Sequence, residues 1–131
     1  MTTTEQQTGQ KPYVVHTVGD ASETIQTPGM VRQPAIVPGK GDTTKIWMGK
    51  VTAAPREKGP PHTHLEAETA AYVIKGHVRV YFGENFEEWI EAGPGDFIFV
   101  PANTPHIEEN PYDEEQEGIL CRAPDNLVVN L

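Results

Sequence analysis

Cysteine is nearly missing from this chain: Cys121 is the only one in 131 residues. No internal disulfide can form, so the fold must be held by its core. Cys121 lies in the apolar run Gly118 to Cys121, where a buried strand thiol is the expected role. Basic residues are scarce as well, 10 against 19 acidic ones, for a formal net charge of −9. A chain with that balance repels phosphate backbones, which excludes nucleic acid and anionic membrane surfaces as expected partners. Long apolar runs are absent; none approaches the ~20 residues needed to cross a bilayer. The first ten residues, MTTTEQQTGQ, have neither the positive start nor the apolar core of a secretory signal. A soluble, cytoplasmic protein is therefore expected. Long helical periodicities are lacking too, and nothing repeats internally.

What the chain has in quantity is glycine and proline, 12 of each. They punctuate it into short apolar stretches, the pattern of many short strands joined by tight turns. The length suits one domain that buries roughly two-thirds of its unfolded surface. Residues 1–11, rich in Thr and Gln, read as a disordered tail, leaving 12–131 as a single domain.

A short edge strand is expected over Tyr13 to Val18, with His16 on the surface. From Gly19 to Asp42 the prolines and glycines leave room only for short extended pieces at Met30 to Arg32 and Ala35 to Val37. Lys45 to Ala53 reads as a strand with large apolar residues on both faces. Ala70 to Lys75 and His77 to Phe82 read as two paired strands joined at Gly76, and His77 falls on the side away from Val78, Val80 and Phe82. Gly83-Glu84-Asn85 marks a hairpin turn into Phe86 to Ala92. Phe97 to Val100 reads as a strand buried on both faces, with one of Phe97 and Phe99 toward the interior. The acidic run Asp113-Glu114-Glu115 is a solvated loop. Strands at Gly118 to Ala123 and Leu127 to Leu131 close an all-β sandwich or barrel.

Two clusters within Gly59 to Asn110 carry the chemistry. In PHTHLEAE (Pro61 to Glu68), His62 and His64 are two residues apart, and on an extended strand that spacing points both imidazoles to one face. Glu68 follows closely enough for its carboxylate to approach from the same edge. In PANTPHIEEN (Pro101 to Asn110), His106 must be brought in by the fold. Three His and one Glu suit a divalent transition metal.

The second cluster resembles the second motif of the cupin family, G-x5-P-x-G-x2-H-x3-N, through Gly95, Pro101, His106 and Asn110, with Asn103 where the family has Gly. The first resembles the family's G-x5-H-x-H-x3,4-E-x6-G through His62, His64 and Gly76. Arg56 stands where the leading Gly belongs, and seven residues rather than six separate Glu68 from Gly76. Counted back from Gly76, Thr69 takes the Glu position, unless a one-residue bulge re-aims Glu68. Two site compositions stay open on this count: three His with Glu68, or three His alone.

The resemblance implies an antiparallel, jelly-roll-like cupin barrel that holds a metal at its mouth through His62, His64, Glu68 and His106. Fe, Mn, Ni or Zn would each suit, with open positions for water, O₂ or a chelating substrate. Glu66, Glu108 and Asn110 are candidate acceptors behind the histidines. It further implies a metal-dependent enzyme of dioxygenase, isomerase or cyclase type, acting on a small oxygenated organic molecule. A cupin that only binds its small molecule is the alternative. Pairing through edge strands gives a homodimer as the expected assembly.

Overall fold

The computed structural model describes residues 11–16, 22–24, 27–38 and 45–131. Among these described residues eleven strands follow one another: β1 (Ser22–Thr24), β2 (Thr27–Ile36), β3 (Trp47–Ala53), β4 (His62–Thr63), β5 (Glu68–Lys75), β6 (Val78–Phe82), β7 (Glu88–Ala92), β8 (Phe97–Val100), β9 (Ile107–Glu109), β10 (Gln116–Ala123) and β11 (Val129–Asn130). Every pairing is antiparallel. No α-helix occurs among the described residues, and none is therefore long and apolar enough to cross a membrane.

Six strands form the larger sheet in the order β1-β2-β3-β10-β5-β8. The second layer consists of β7-β6-β9 and β4-β11. These two pieces are stitched together because residues 57–62 run antiparallel to residues 106–110. Gly59 N–H donates to Glu108 O at 2.9 Å, and His62 and His106 exchange backbone bonds at 3.0 and 2.9 Å. The result is a jelly-roll barrel of two facing sheets.

Alternation decides what fills it. Along β10 burial alternates residue by residue, sending Gln116, Gly118, Leu120 and Arg122 inward. From β5, Thr69 and Val73 are buried while Glu68, Ala70, Tyr72 and Ile74 are exposed. Val73, Val78, Val80 and Ala92 pack together with Ile98 against them. Each valine contributes roughly 1.5–3 kcal/mol by leaving water.

Several expectations change. The region Gly19 to Asp42 holds β1 and the ten-residue β2, longer than its prolines suggested. Pro34, which cannot donate a ladder bond, is accommodated by a register shift between Pro34 and Ile36. Residues 11–16 carry no strand, and the expected tail falls outside the described residues but for Lys11. His16 is exposed. The strands either side of Gly76 do not pair: the turn there, with Gly76 at φ 74°, passes the chain from one sheet to the other. A Cβ on Gly76 would stand 2.7 Å from Glu115 O. Phe97 and Phe99 are 79% and 58% exposed, because β8 is an edge strand whose outer face no described element covers; Ile98 and Val100 take the inner face. Cys121 lies on the outer face of β10, half-buried.

Candidate metal centre

β4 presents His62 and, two residues on, His64, as the strand period requires. The backbone then turns sharply. Leu65 takes a left-handed φ of 54°, and Ala67 N–H donates to His64 O at 3.0 Å. The bridge between His62 and His106 brings the second cluster directly alongside. The three rings sit with centroids 4.3 to 5.1 Å apart and all three residues are buried.

Each ring is held the same way. Nδ1 of His62 faces Pro60 O at 3.0 Å, Nδ1 of His64 faces Leu127 O at 2.5 Å, and Nδ1 of His106 faces Thr104 O at 2.8 Å. A carbonyl can only accept, so all three Nδ1 atoms carry hydrogen and donate. The Nε2 atoms are thereby left to face the barrel. His64 Nε2 is buried and has no hydrogen-bond partner.

The fourth member is Glu108. Its Oε1 lies 3.3 Å from His106 Nε2 and 3.5 Å from His62 Nε2, and the four ligand atoms all fall within 4.8 Å of one another. Glu68, expected in that role, is exposed at the start of β5 and stands outside the group. The β5–β10 register is unbroken from Glu68 to Val73 and shifts only beyond it, too late to turn Glu68 inward. Thr69 takes the inward position instead.

Four electron-rich atoms converging in a buried space repel one another unless a cation sits among them. Burial pulls the His106 pKa down, but the hydrogen bond and charge of Glu108 outweigh it and leave it raised. Burial likewise works to raise Glu108, yet its contacts with His106 and His62 hold it well below the usual carboxylate range. His64 is pushed down to about 3, chiefly by burial and then by the positive charge of Arg122. It is a neutral imidazole at pH 7 with an open lone pair. The donor set, nitrogen with one carboxylate oxygen, fits a divalent transition metal.

The sequence holds a signal for Glu108. It lies two residues after His106 on an extended strand, the same spacing that pairs His62 with His64. The expected side-chain acceptors behind the histidines are replaced by backbone carbonyls. Asn110 instead locks the neighbouring loops, donating to Ala54 O at 3.1 Å and Glu114 O at 2.7 Å, and Glu66 is exposed. Both departures from the family's glycines keep a left-handed backbone: Arg56 has φ 63° and Asn103 φ 54°. Arg56 is anchored there by Asp113 at 2.8 Å and Pro111 O at 2.7 Å. Opposite the cluster, and unforeseen, are two buried arginines, Arg32 on β2 and Arg122 on β10.

Outside the cage, a pocket of about 210 Å³ lined by Phe82, Ile90, Phe99, Pro101 and Thr104 ends at His106. Its walls are mostly apolar.

A two-sheet antiparallel barrel with a His-rich cage at this position defines the class, and comparison with known sequences agrees. The cupin domain profile matches residues 49–120, more than half of the chain, and the protein belongs to the cupin domain family. A germin-like protein of rice, the putative germin-like protein 12-3 of Oryza sativa subsp. japonica, is 31% identical over 93 residues, 65% of this chain and 41% of that one. The match thus spans less than half the length of that relative. Among solved structures, the polyketide cyclase RemF from Streptomyces resistomycificus superposes with a TM-score of 0.73 at 21% identity, covering 93% of this chain and 85% of that one. An oxalate oxidase structure gives 0.68 at 18% identity, covering 96% and 67%. At such identities the likeness is one of fold.

Proposed function

We propose that this protein is a metal-dependent cupin enzyme acting on a small oxygenated organic molecule. The observation that carries the reading is the cage itself: three imidazoles locked by carbonyls at Nδ1, with Nε2 and one carboxylate oxygen turned to a common point. His62, His64, His106 and Glu108 would hold the ion, which supplies Lewis-acid polarisation of a bound oxygen or, if redox-active, a site for O₂. The chain's own contribution is to keep His64 neutral and all three imidazoles oriented. The pocket beside His106 has room for an apolar body next to the cage. The polyketide cyclase and oxalate oxidase among the structural relatives support the enzyme reading by analogy of fold alone.

The test is metal content after expression in replete medium, followed by turnover. Stoichiometric transition metal in the wild type and its loss in His64→Ala are expected. Oxygen-electrode measurements with catechols, flavonols and β-diketones on the Fe(II)-loaded chain then separate the oxygenase branch from cyclase or isomerase chemistry. A chain that retains no metal would be a ligand-binding cupin instead. For assembly, a second copy is the occupant this reading gives to the exposed outer face around Phe97 and Tyr72. Phe97→Lys should then shift a dimer toward monomer in sedimentation velocity.

A further inference from the structure

The three imidazoles are not held equally. His62 and His106 take their acceptors from their own stretch of chain, Pro60 O and Thr104 O each two residues back, and the Nε2 of each also faces Glu108, at 3.5 and 3.3 Å. His64 has neither support. Its acceptor, Leu127 O, is 63 residues away in sequence, and its Nε2 has no hydrogen-bond partner among the described residues. A single remote carbonyl therefore fixes the tautomer and aim of this ring, and the path of the chain through Leu127 becomes part of the site.

That path is a turn. β10 ends at Ala123 and β11 begins at Val129, and residues 124–128 cross from the larger sheet to the smaller layer without belonging to a strand. Beyond the turn the backbone is paired: Val129 and Asn130 lie opposite Thr63 and His62, and Leu131 N–H donates to Pro61 O at 3.1 Å. At its start Asp125 N–H donates to Lys45 O at 2.8 Å, with Asp125 itself at a left-handed φ of 61°. Between these anchors Asn126, the residue just before Leu127, accepts through Oδ1 from an Nη of Arg122.

Arg122 is well placed to hold Asn126 still. It is 1% exposed, on the inward side of β10, and its Nε donates to Thr69 Oγ1 at 2.7 Å, which ties the guanidinium to β5. The contact with Asn126 uses a different nitrogen and does not pass through Thr69. A rigid, planar fork can serve two acceptors on separate segments at once, which an ammonium on a flexible stem does not do as well.

We propose that Arg122 and Asn126 are positioning residues for His64: the guanidinium pins Asn126, Asn126 fixes the Leu127 carbonyl, and that carbonyl aims the ring so that Nε2 faces the cage. This rests on the metal-binding reading for what the ring is aimed at, and adds the residues that aim it. Neither residue touches the ion. Apolar residues often fill a buried position with no loss of stability, so the distinctive contribution of the guanidinium is geometric.

The test begins with metal-free, full-length protein carrying isotope-labelled histidine, read by proton–nitrogen NMR at neutral pH, where His64 is uncharged. The wild type should show His64 as the Nδ1–H tautomer alone. Asn126→Ala should mix in the Nε2–H form at His64, while His62 and His106 keep their wild-type signals because their acceptors lie elsewhere. Co(II) affinity, measured by competition with a chromophoric chelator, should then fall about 10-fold or more, the cost of losing an outer partner of a ligand. Asn126→Asp keeps the accepting oxygen and should restore both properties. An unchanged His64 tautomer in Asn126→Ala overturns the proposal, as does wild-type Co(II) affinity, even if the variant melts earlier; lost stability alone is what a merely structural contact gives. A change spread equally over all three histidines overturns it too. Should Asn126→Ala fail to fold, Arg122→Lys keeps the buried charge and loses the fork; it should weaken Co(II) about 10-fold or more, and wild-type affinity there overturns the proposal equally. The two readings fail separately. A wild type that binds no Co(II), with a His64 tautomer that still depends on Asn126, sinks the metal reading alone, and a chain that binds Co(II) with no regard to Asn126 sinks this one.

Discussion

The two walls of the barrel are chemically opposite. The smaller layer, through β4 and β9, supplies His62, His64, His106 and Glu108, all of them groups that accept a cation. The larger sheet, through β2, β5 and β10, supplies Arg32, Thr69 and Arg122, two guanidinium donors and the hydroxyl that receives one of them. The family motif places its carboxylate on the first-motif strand. Here that inward position is Thr69, which serves Arg122, and the carboxylate comes from across the barrel. Moving one negative charge from one wall to the other turns a uniform metal pocket into a polarised one.

Breaking the cation-accepting wall gives the largest effect. His64→Ala should lower metal affinity by more than about 100-fold, beyond the 10–100-fold cost of losing an outer partner, as read by competition with a chromophoric chelator. Glu108→Gln keeps the shape and removes the charge, and a loss of about 10-fold or more is expected in the same assay. Glu68→Ala is the control that sharpens the contrast: affinity should stay within about 2-fold, since an exposed carboxylate outside the cage contributes little. If Glu68→Ala costs as much as Glu108→Gln, the transfer of the carboxylate between walls is wrong.

The same wall should make the metal-free protein sensitive to acid. The His64 pKa falls from about 6.5 to about 3 on folding, so the unfolded chain binds more protons between those values. Its contribution is present above pH 6.5 and is lost as pH falls through that window. Glu108 has the same sign, its contribution fading below the ordinary carboxylate range. His106, with its raised pKa, works the other way and loses its contribution as pH rises through the folded value. Unfolding temperature should therefore drop from pH 6.5 toward pH 4, and His64→Gln should flatten that drop. A profile as steep in the variant as in the wild type would remove His64 as the cause.

The opposite wall gives the smallest effect. Thr69→Val removes the hydroxyl that receives Arg122 Nε, at a cost of roughly 1.5–3 kcal/mol for a buried bond to a charged group. Chemical denaturation measures it, and metal affinity should not change.

What the sequence made legible follows from period. The two-residue spacing of His62 and His64 tells their common face, and the turn residues tell an all-β barrel. Glu108 obeys the same rule relative to His106, but the family spacing points to Glu68 and leaves Glu108 the role of a supporting acceptor. Strand pairing was less visible. Gly76 marked a turn, but a local turn signal does not say whether the next strand pairs with the last or crosses to another sheet. Exposure of Phe97 and Phe99 was hidden for a related reason: an apolar run looks the same whether it lies in the middle of a sheet or at its edge. The backbone acceptors of the three imidazoles were beyond reach, since carbonyls carry no residue identity.

That last point shapes how such a barrel can change over time. Because Pro60, Thr104 and Leu127 hold the rings through main-chain oxygens, no side chain at these three positions need be retained for the imidazoles to stay aimed. Residues lining the neighbouring pocket are free to vary and retune what is admitted, while the orienting contacts persist for as long as the backbone path does. Inheritance of the cage is thus separated from inheritance of specificity.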